Sequence, residues 1–545
     1  ACAKHFAAYG AVEGGREYDA VEISERTLRE VHLPPFEAAV RAGVGTLMSA
    51  FNTVNGVPAT ADRRLMTEIL RGEWGFTGFV VSDWTSIAEL QAHGVALDGA
   101  VAARKALMAG VDMDMVSNLY ASRVPDLVAT GVISGAMVDE AVARVLRQKF
   151  ALGLFEQPYT DEGRAPAAML TPAHLELARE SAERSFVLLK NDAVGEGPVL
   201  PIGAGLKVAL IGGLADSAGD MLGAWSGKGR AEDVVTLRAA LTDRLGDRLT
   251  YVRGVDPLED SDAGFAEAVR AARAADVVVL AVGEARSQSG EASSRTELGL
   301  PGRQQELVRA IVETGTPVVM VVFSGRPLAL PWEAAHVPAM LQAWFPGVQA
   351  GPALARVLLG DVAPVGRLTM SVPRSVGQMP LYYNALNTGR PALGREPGTD
   401  FFMGYEDELP TPLFPFGWGL TCTEFAYEPT RVGRESVSCD AIRDGATISA
   451  SAVVRNSGPR AGTEVVQAYI GVRGTSIARP VRELKGFQRI ALAPGEAREV
   501  RFELGWDEVA FWNAALERVV EPCEVTVWIA PHAQGGTPAI FRIEP

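Results

Sequence analysis

Over the first ~160 residues, short apolar runs alternate with stretches whose apolar residues recur at helical spacing, the pattern of βα units around a parallel sheet. The runs VGTLMSAFN (Val44 to Asn52), GFVVSD (Gly78 to Asp83) and AGVDMDM (Ala109 to Met115) read as strands. ADRRLMTEILRGEWG and LDGAVAARKALMAG read as the helices between them. The opening residues up to Lys4 and His5 read as the end of one more strand, giving four βα units where a closed (β/α)8 barrel has eight. The expectation is that residues 1–155 form the carboxyl-terminal half of such a barrel. An upstream segment, on the same or a separate chain, would then be required to complete it.

Residues 156–172 are rich in Pro, Gly and turn formers and read as a linker. In 173–380 the runs LKVALIGGLAD, LTYVRGV, DVVVLAVGE, PVVMVVFSGRPL and AMLQAWFPG are nearly continuous in apolar residues and are separated by helical patterns. Such runs suit a parallel sheet covered on both faces, an α/β sandwich. Residues 381–435, with many Gly, Pro and aromatics and little periodicity, read as a connecting segment. From 436 to 545 the texture turns to strict alternation bounded by NSGP and APGE turns, which predicts a β-sandwich. The fold class expected is therefore multidomain α/β with a β-sandwich at its carboxyl end.

Composition narrows the function classes. Hydrophobic residues at 48% and charged residues at 21% match an ordinary globular chain, so neither disorder nor a fibrous repeat is indicated. No run reaches the ~20 uninterrupted apolar residues of a membrane-spanning helix. A formal charge of −15 opposes a nucleic-acid partner. The four cysteines, Cys2, Cys422, Cys439 and Cys523, show no C-x-x-C spacing, so neither a zinc site nor a disulfide framework is indicated.

Candidate chemistry concentrates at strand ends. Asp83 stands at the carboxyl end of a predicted barrel strand, the rim on which barrel enzymes carry reactive groups. Its competing role is to cap the helix that follows. Trp84 beside it offers an indole face for a sugar ring, and Lys4 and His5 offer hydrogen-bond donors at the end of a neighbouring strand. In the second domain VVVLAVGEARSQSGEASSRTELGLP leaves an apolar strand for a polar loop carrying Glu284 and Glu291. The alternative for that loop is a solvated acidic surface. ALIGGLAD (Ala209 to Asp216) has a glycine turn after a strand but lacks the G-x-G-x-x-G spacing of a dinucleotide site.

These segments, with AKHFAAYG, LRGEWGFTGFVVSDW, RSFVLLKN, GEASSRTELGLP, WFPGVQAG, YYNALNTGRP, LFPFGWGLTCTEF and RPVRELKGFQRIALAPGE, resemble glycoside hydrolase family 3, multidomain bacterial β-glucosidase type, in order along the whole chain. The resemblance implies a barrel, an α/β sandwich and a fibronectin type III-like domain. It implies Asp83 as nucleophile and Glu291 as acid/base, with Glu284 as the competing carboxylate and Arg295 supporting the loop. Lys4 and His5 would bind hydroxyls of the terminal glucose, and Trp84 would stack nearby. Phe51 stands where a Tyr is common in the family, which removes one hydroxyl contact.

The reaction implied is retaining hydrolysis of terminal β-D-glucosyl residues through a covalent glycosyl-enzyme, with Asp83 ionised and Glu291 protonated at the outset. No cofactor or metal is implied, and the partners expected are β-glucosides or gluco-oligosaccharides. The resemblance favours a periplasmic or secreted location. A β-xylosidase and a non-catalytic carbohydrate-binding protein are the alternative readings. The β-N-acetylhexosaminidase branch is disfavoured, because AAYG follows Lys4-His5-Phe6 in place of that branch's Pro-Gly-His pattern.

Overall fold

The computed structural model describes residues 1–195, 197–391, 398 and 401–545. Contacts divide the chain into two compact units, residues 1–167 with 511–518, and residues 168–510 with 519–545.

The first unit is built on three parallel strands, β1 (Cys2–Phe6), β2 (Thr46–Ser49) and β3 (Phe79–Val81), in that spatial order. Helix α1 (Arg64–Glu73), wound as a π-helix, buries Leu65, Met66, Ile69 and Leu70 as one stripe. Helix α2 (Gly99–Ala109) starts where the Asp98 carboxylate accepts from the Ala100 and Val101 amides, both at 2.9 Å. It ends at Gly110, where φ is +113° and a Cβ would lie 2.7 Å from Thr67 Oγ1. Its buried residues are mostly small, Ala102, Ala103, Ala106 and Ala109 with Leu107, which permits close packing against neighbouring helices.

AGVDMDM does not form the strand its pattern predicts. Only Met113 bridges to Val81, and the Asp112 amide donates to Val80 O at 2.8 Å. The reason is the Asp112 side chain, which turns inward and is 1% exposed. Its Oδ2 accepts from Arg71 Nη2 at 2.7 Å and from the Val80 amide at 2.9 Å, and its Oδ1 accepts from Arg144 Nη1 at 2.8 Å. Arg144 belongs to α3 (Gly135–Ala151), so one carboxylate ties two helices to β3.

In the second unit, α4 (Pro172–Ser185) leads into a six-stranded sheet. Its strands are β4 (Val187–Asn191), β5 (Val208–Ile211), β6 (Leu249–Val252), β7 (Val277–Gly283), β8 (Val318–Phe323) and β9 (Ala339–Gln342). The spatial order is β6-β5-β7-β8-β9-β4, parallel except for β4. Every residue of β7 is buried. Val277, Val279 and Ala281 enter one core, and Val278, Leu280 and Val282 the other. A strand facing two covered sides has no position for a polar residue, which explains its unbroken apolar run.

The β-sandwich follows. A four-stranded sheet holds β10 (Phe425–Tyr427), β11 (Arg431–Val432), β13 (Ile448–Asn456) and β16 (Ala497–Leu504). A five-stranded sheet holds β12 (Ser436–Ser438), β18 (Ala539–Glu544), β17 (Cys523–Ala530), β14 (Gly462–Arg473) and β15 (Glu483–Leu492). Strands β10 and β11 fall inside 381–435, the stretch read from sequence as a connection. They are too short to display alternation, and pair with β13 across sequence distance.

In that same stretch, residues 392–397 and 399–400 lie outside the described residues. Elsewhere it binds the α/β and β-sandwich parts of this unit together. The Trp418 indole donates to Leu189 O at 2.9 Å, and Tyr383 stacks on Phe416 at 4.0 Å beside Tyr469. Arg367 donates to Glu464 at 2.9 Å as an almost fully buried ion pair. His532 lies 5.0 Å from the Trp418 ring, and burial, followed by the Arg482 and Arg367 cations, pushes its pKa down to about 4.

Two tests of stability follow. Removing the Asp112 carboxylate leaves two guanidinium groups without their buried counter-ion, so Asp112→Ala should cost about 3–5 kcal/mol in urea unfolding of the first unit. For His532, the unfolded chain takes up a proton near pH 6.5 while the folded chain resists until about pH 4. Stability of the second unit should therefore fall as pH drops from 6.5 to 4, and His532→Gln should remove that part of the loss when unfolding midpoints are compared across the range.

Candidate active site

In the first unit the rim of the sheet is fixed by the residue before the acid. The Ser82 amide donates to Met113 O at 2.9 Å. Its hydroxyl accepts from the Met115 amide at 2.8 Å and donates to Asp83 O at 3.0 Å. Ser82 is wholly buried, so its backbone and side chain together determine where Asp83 emerges. The chain then turns through Thr85, a left-handed residue with φ of +59°, into a helix of four residues, Ser86–Glu89.

Asp83 is not the cap of that helix. Thr85 occupies the capping position, and Asp83 Oδ1 accepts from the Trp84 amide at 2.7 Å. The other oxygen, Oδ2, is buried and has no hydrogen bond; His5 Nε2 lies 3.4 Å from it. A carboxylate oxygen left in this state has lost its water without gaining a full partner, an arrangement worth explaining by function.

His5 reaches Asp83 from β1, whose pairing with β2 departs from regular register between Ala3 and Phe6. Lys4, the adjoining residue, stands exposed and makes no ion pair among the described residues. Edge-on to His5 lies Tyr9, with ring centres 5.3 Å apart. Phe51 is nearly buried, 6.2 Å from Tyr9 and 5.2 Å from Tyr18. Trp84 is 60% exposed, so its indole faces solvent on this unit. Tyr9 and Tyr18 escaped the sequence reading, because isolated aromatics in a loop carry no periodic signal.

In the second unit β7 ends at Gly283, where φ is +138° and a Cβ would sit 1.8 Å from Phe323 O. Buried Gln304 holds this glycine on both sides, accepting from its amide at 2.9 Å and donating to its carbonyl at 2.8 Å. Glu284 follows and is fully buried. Its Oε1 meets Arg295 Nη1 at 2.7 Å and Arg326 Nε at 3.1 Å. Arg295 also donates to Gly299 O at 3.2 Å, and Arg326 donates to Ser293 O at 2.7 Å and to Gln288 O. Glu284 is thus the loop's internal anchor, with no access for a substrate.

Glu291 rides on the loop so anchored and is exposed. At Gly290, with φ of +106°, a Cβ would lie 2.7 Å from the Ala224 Cβ, so the absence of a side chain lets the loop lie against Ala224. A cavity of about 340 Å3 opens here, lined by Glu291, Arg286, Ser289 and Trp225. Trp225 is 74% exposed, although a large apolar side chain gains by burial. This indole was also missed from sequence, since nothing local to AWSGKG relates it to a loop so far along the chain.

Comparison with known proteins now bears on these residues. Residues 1–148 match the Glycosyl hydrolase family 3 N terminal domain, 186–422 the Glycosyl hydrolase family 3 C-terminal domain and 464–533 a Fibronectin type III-like domain. The periplasmic beta-glucosidase of Salmonella typhimurium is 40% identical over 553 residues, spanning 96% of this chain and 71% of that protein. A beta-xylosidase of Formosa agariphila is 38% identical, spanning 97% of this chain and 73% of its own. Among solved structures, the beta-glucosidase from Listeria innocua in complex with glucose superposes with a TM-score of 0.94 at 36% identity, covering 100% of this chain and 74% of that one. By these matches, which run in order through both units, the chain belongs to glycosyl hydrolase family 3.

Proposed function

We propose that this protein is a retaining, exo-acting β-glucosidase in which Asp83 is the nucleophile and Glu291 the acid/base. The observation that carries the reading is Asp83 Oδ2, buried beside His5 at a strand's carboxyl end with no hydrogen bond to occupy it. That oxygen attacks the anomeric carbon. Glu291 donates its proton to the departing oxygen, and then takes a proton from water as the glycosyl-enzyme is hydrolysed. Asp83 Oδ1, bound by the Trp84 amide, keeps the carboxylate from rotating.

His5 is the group we assign to a hydroxyl of the bound glucosyl ring, with Lys4 beside it and Trp84 and Phe51 as apolar neighbours. Arg295 serves by holding Glu284 and hence the loop. The exposed Trp225 indole next to Glu291 supports a stacking surface for the leaving group. A periplasmic location is favoured by the Salmonella relative. Among the described residues no helix is long and apolar enough to cross a membrane. The Formosa relative keeps β-xylosidase activity as the second reading.

Kinetics on a panel of aryl glycosides and gluco-oligosaccharides test the reading: kcat/KM should be highest on β-glucosides, and a preference for β-xylosides would replace it. Asp83→Asn should lower kcat by about ten-thousand-fold or more, on the order seen when a covalent nucleophile is removed. In Glu291→Ala, azide should restore turnover of an aryl glucoside with a good leaving group and yield the β-glucosyl azide; an α-configured product would refute the retaining mechanism. Trp225→Ala should raise KM for oligosaccharides by about tenfold while changing kcat little, the signature of lost uniform binding.

A further inference from the structure

The second unit's sheet contains a crevice that the proposed chemistry does not use. Strand β5 connects outward to β6 on one side, whereas its neighbour β7 connects to β8 on the other. Adjacent strands whose connections diverge leave a gap between the loops at their carboxyl ends, and open α/β sheets bind ligands there. A cavity of about 560 Å3 occupies this place, within the size range of small-molecule sites. Its walls are the turn after β5, the end of β6 with the loop beyond it, and Ala285 after β7.

The glycine turn in ALIGGLAD is what brings these walls together. At Gly212, with φ of +116°, a Cβ would lie 2.0 Å from Ala281 O. At Gly213 it would lie 1.3 Å from Asp256 Oδ1. The backbone of Ala281 closes on Gly212 and the Asp256 carboxylate closes on Gly213, so the turn is drawn tightly against both walls of the crevice.

Its chemistry selects the ligand. Asp216, Asp220, Asp256 and Glu259 face Arg238 and Arg253 alone among the lining charges, an excess of negative charge that repels phosphates and nucleotides. No group of three or more His, Cys, Asp or Glu among the described residues could hold a metal ion. Each carboxylate is already oriented: Asp216 by Thr236 and Arg238, both at 2.9 Å, and Asp220 by Ser217 at 2.6 Å. Arg253 holds Glu259 at 2.6 Å and also pairs with Asp256. Arg238 stacks on the Tyr251 ring at 4.4 Å. Oriented carboxylates and guanidinium groups beside an aromatic ring match a neutral molecule dense in hydroxyls.

We propose that this crevice is a second, non-catalytic sugar site that takes a hexose or short gluco-oligosaccharide; the choice of the gluco series rests on the function proposed above. Asp220 forms a wall shared with the Glu291 loop, because its Oδ1 accepts from the Arg286 amide at 2.7 Å. Occupancy of the crevice is thereby felt at the root of that loop.

The test blocks the catalytic nucleophile with a 2-deoxy-2-fluoro-glucosyl fluoride, verifies one covalent adduct by mass, and titrates the blocked protein with laminaribiose in calorimetry. The expected result is one remaining equivalent of millimolar binding. Tyr251→Ala and the isosteric Asp256→Asn should each weaken it at least tenfold while leaving aryl-glucoside turnover within twofold; the second variant keeps the packing against Gly213. Absence of binding in the blocked protein overturns the proposal. So does binding that both variants leave intact, or that is lost only in Trp225→Ala. If no adduct forms, the functional reading fails separately, and the same variants in the unblocked protein still decide whether the crevice binds sugar.

Discussion

A carboxylate taken out of water must be neutralised where it lies, and this protein meets that constraint beside Asp83 and beside Glu291 with the same device. Asp112 in the first unit and Glu284 in the second are buried and each is gripped by two arginines. An ion pair of this kind contributes little net stability over an apolar replacement, because desolvation offsets the Coulomb attraction. What it contributes is position. Asp112 also accepts from the Val80 amide, three residues before Asp83, and Arg326 also holds the carbonyls of Gln288 and Ser293, on either side of Glu291. In each unit a buried carboxylate held by arginines fixes the backbone around a second carboxylate, Asp83 or Glu291.

The same device marks where sequence reading ends. Asp83 was legible, because an apolar run that stops at an acid puts that acid on a strand's rim. Glu284 and Glu291 were not separable by pattern, since both are acids on one polar loop. Their difference is burial, and burial is created by Arg326, which arrives from beyond the next strand. Likewise the run AGVDMDM has the apolar content of a strand. It fails as one because Asp112 finds Arg71 and Arg144 inside, and neither partner is adjacent in sequence.

The long elements were legible for the opposite reason. In β7 every residue meets one of two cores, and in β13 alternate residues do, so the burial requirement is written directly into the order of residue types. Elements such as β10 and β11 owe their existence to partners rather than to their own sequence. The aromatics Tyr9, Tyr18 and Trp225 around the candidate site fall in that second class, as single residues whose meaning depends on which neighbours the fold supplies.

The unsatisfied oxygen of Asp83 then has a physical account. A buried acceptor with no hydrogen bond, here facing only His5 Nε2 at 3.4 Å, carries a desolvation cost of up to about 1–3 kcal/mol, and the local structure would relax to relieve it if the backbone were free to turn. It is not free. Ser82 spends its amide, and both the donor and acceptor capacity of its hydroxyl, on holding the peptide at the strand end, while the Trp84 amide holds Oδ1. Relief by rotation would break these bonds for the gain of one. The cost is therefore retained in the resting state, and on the function proposed above an electrophilic carbon brought to Oδ2 would remove it.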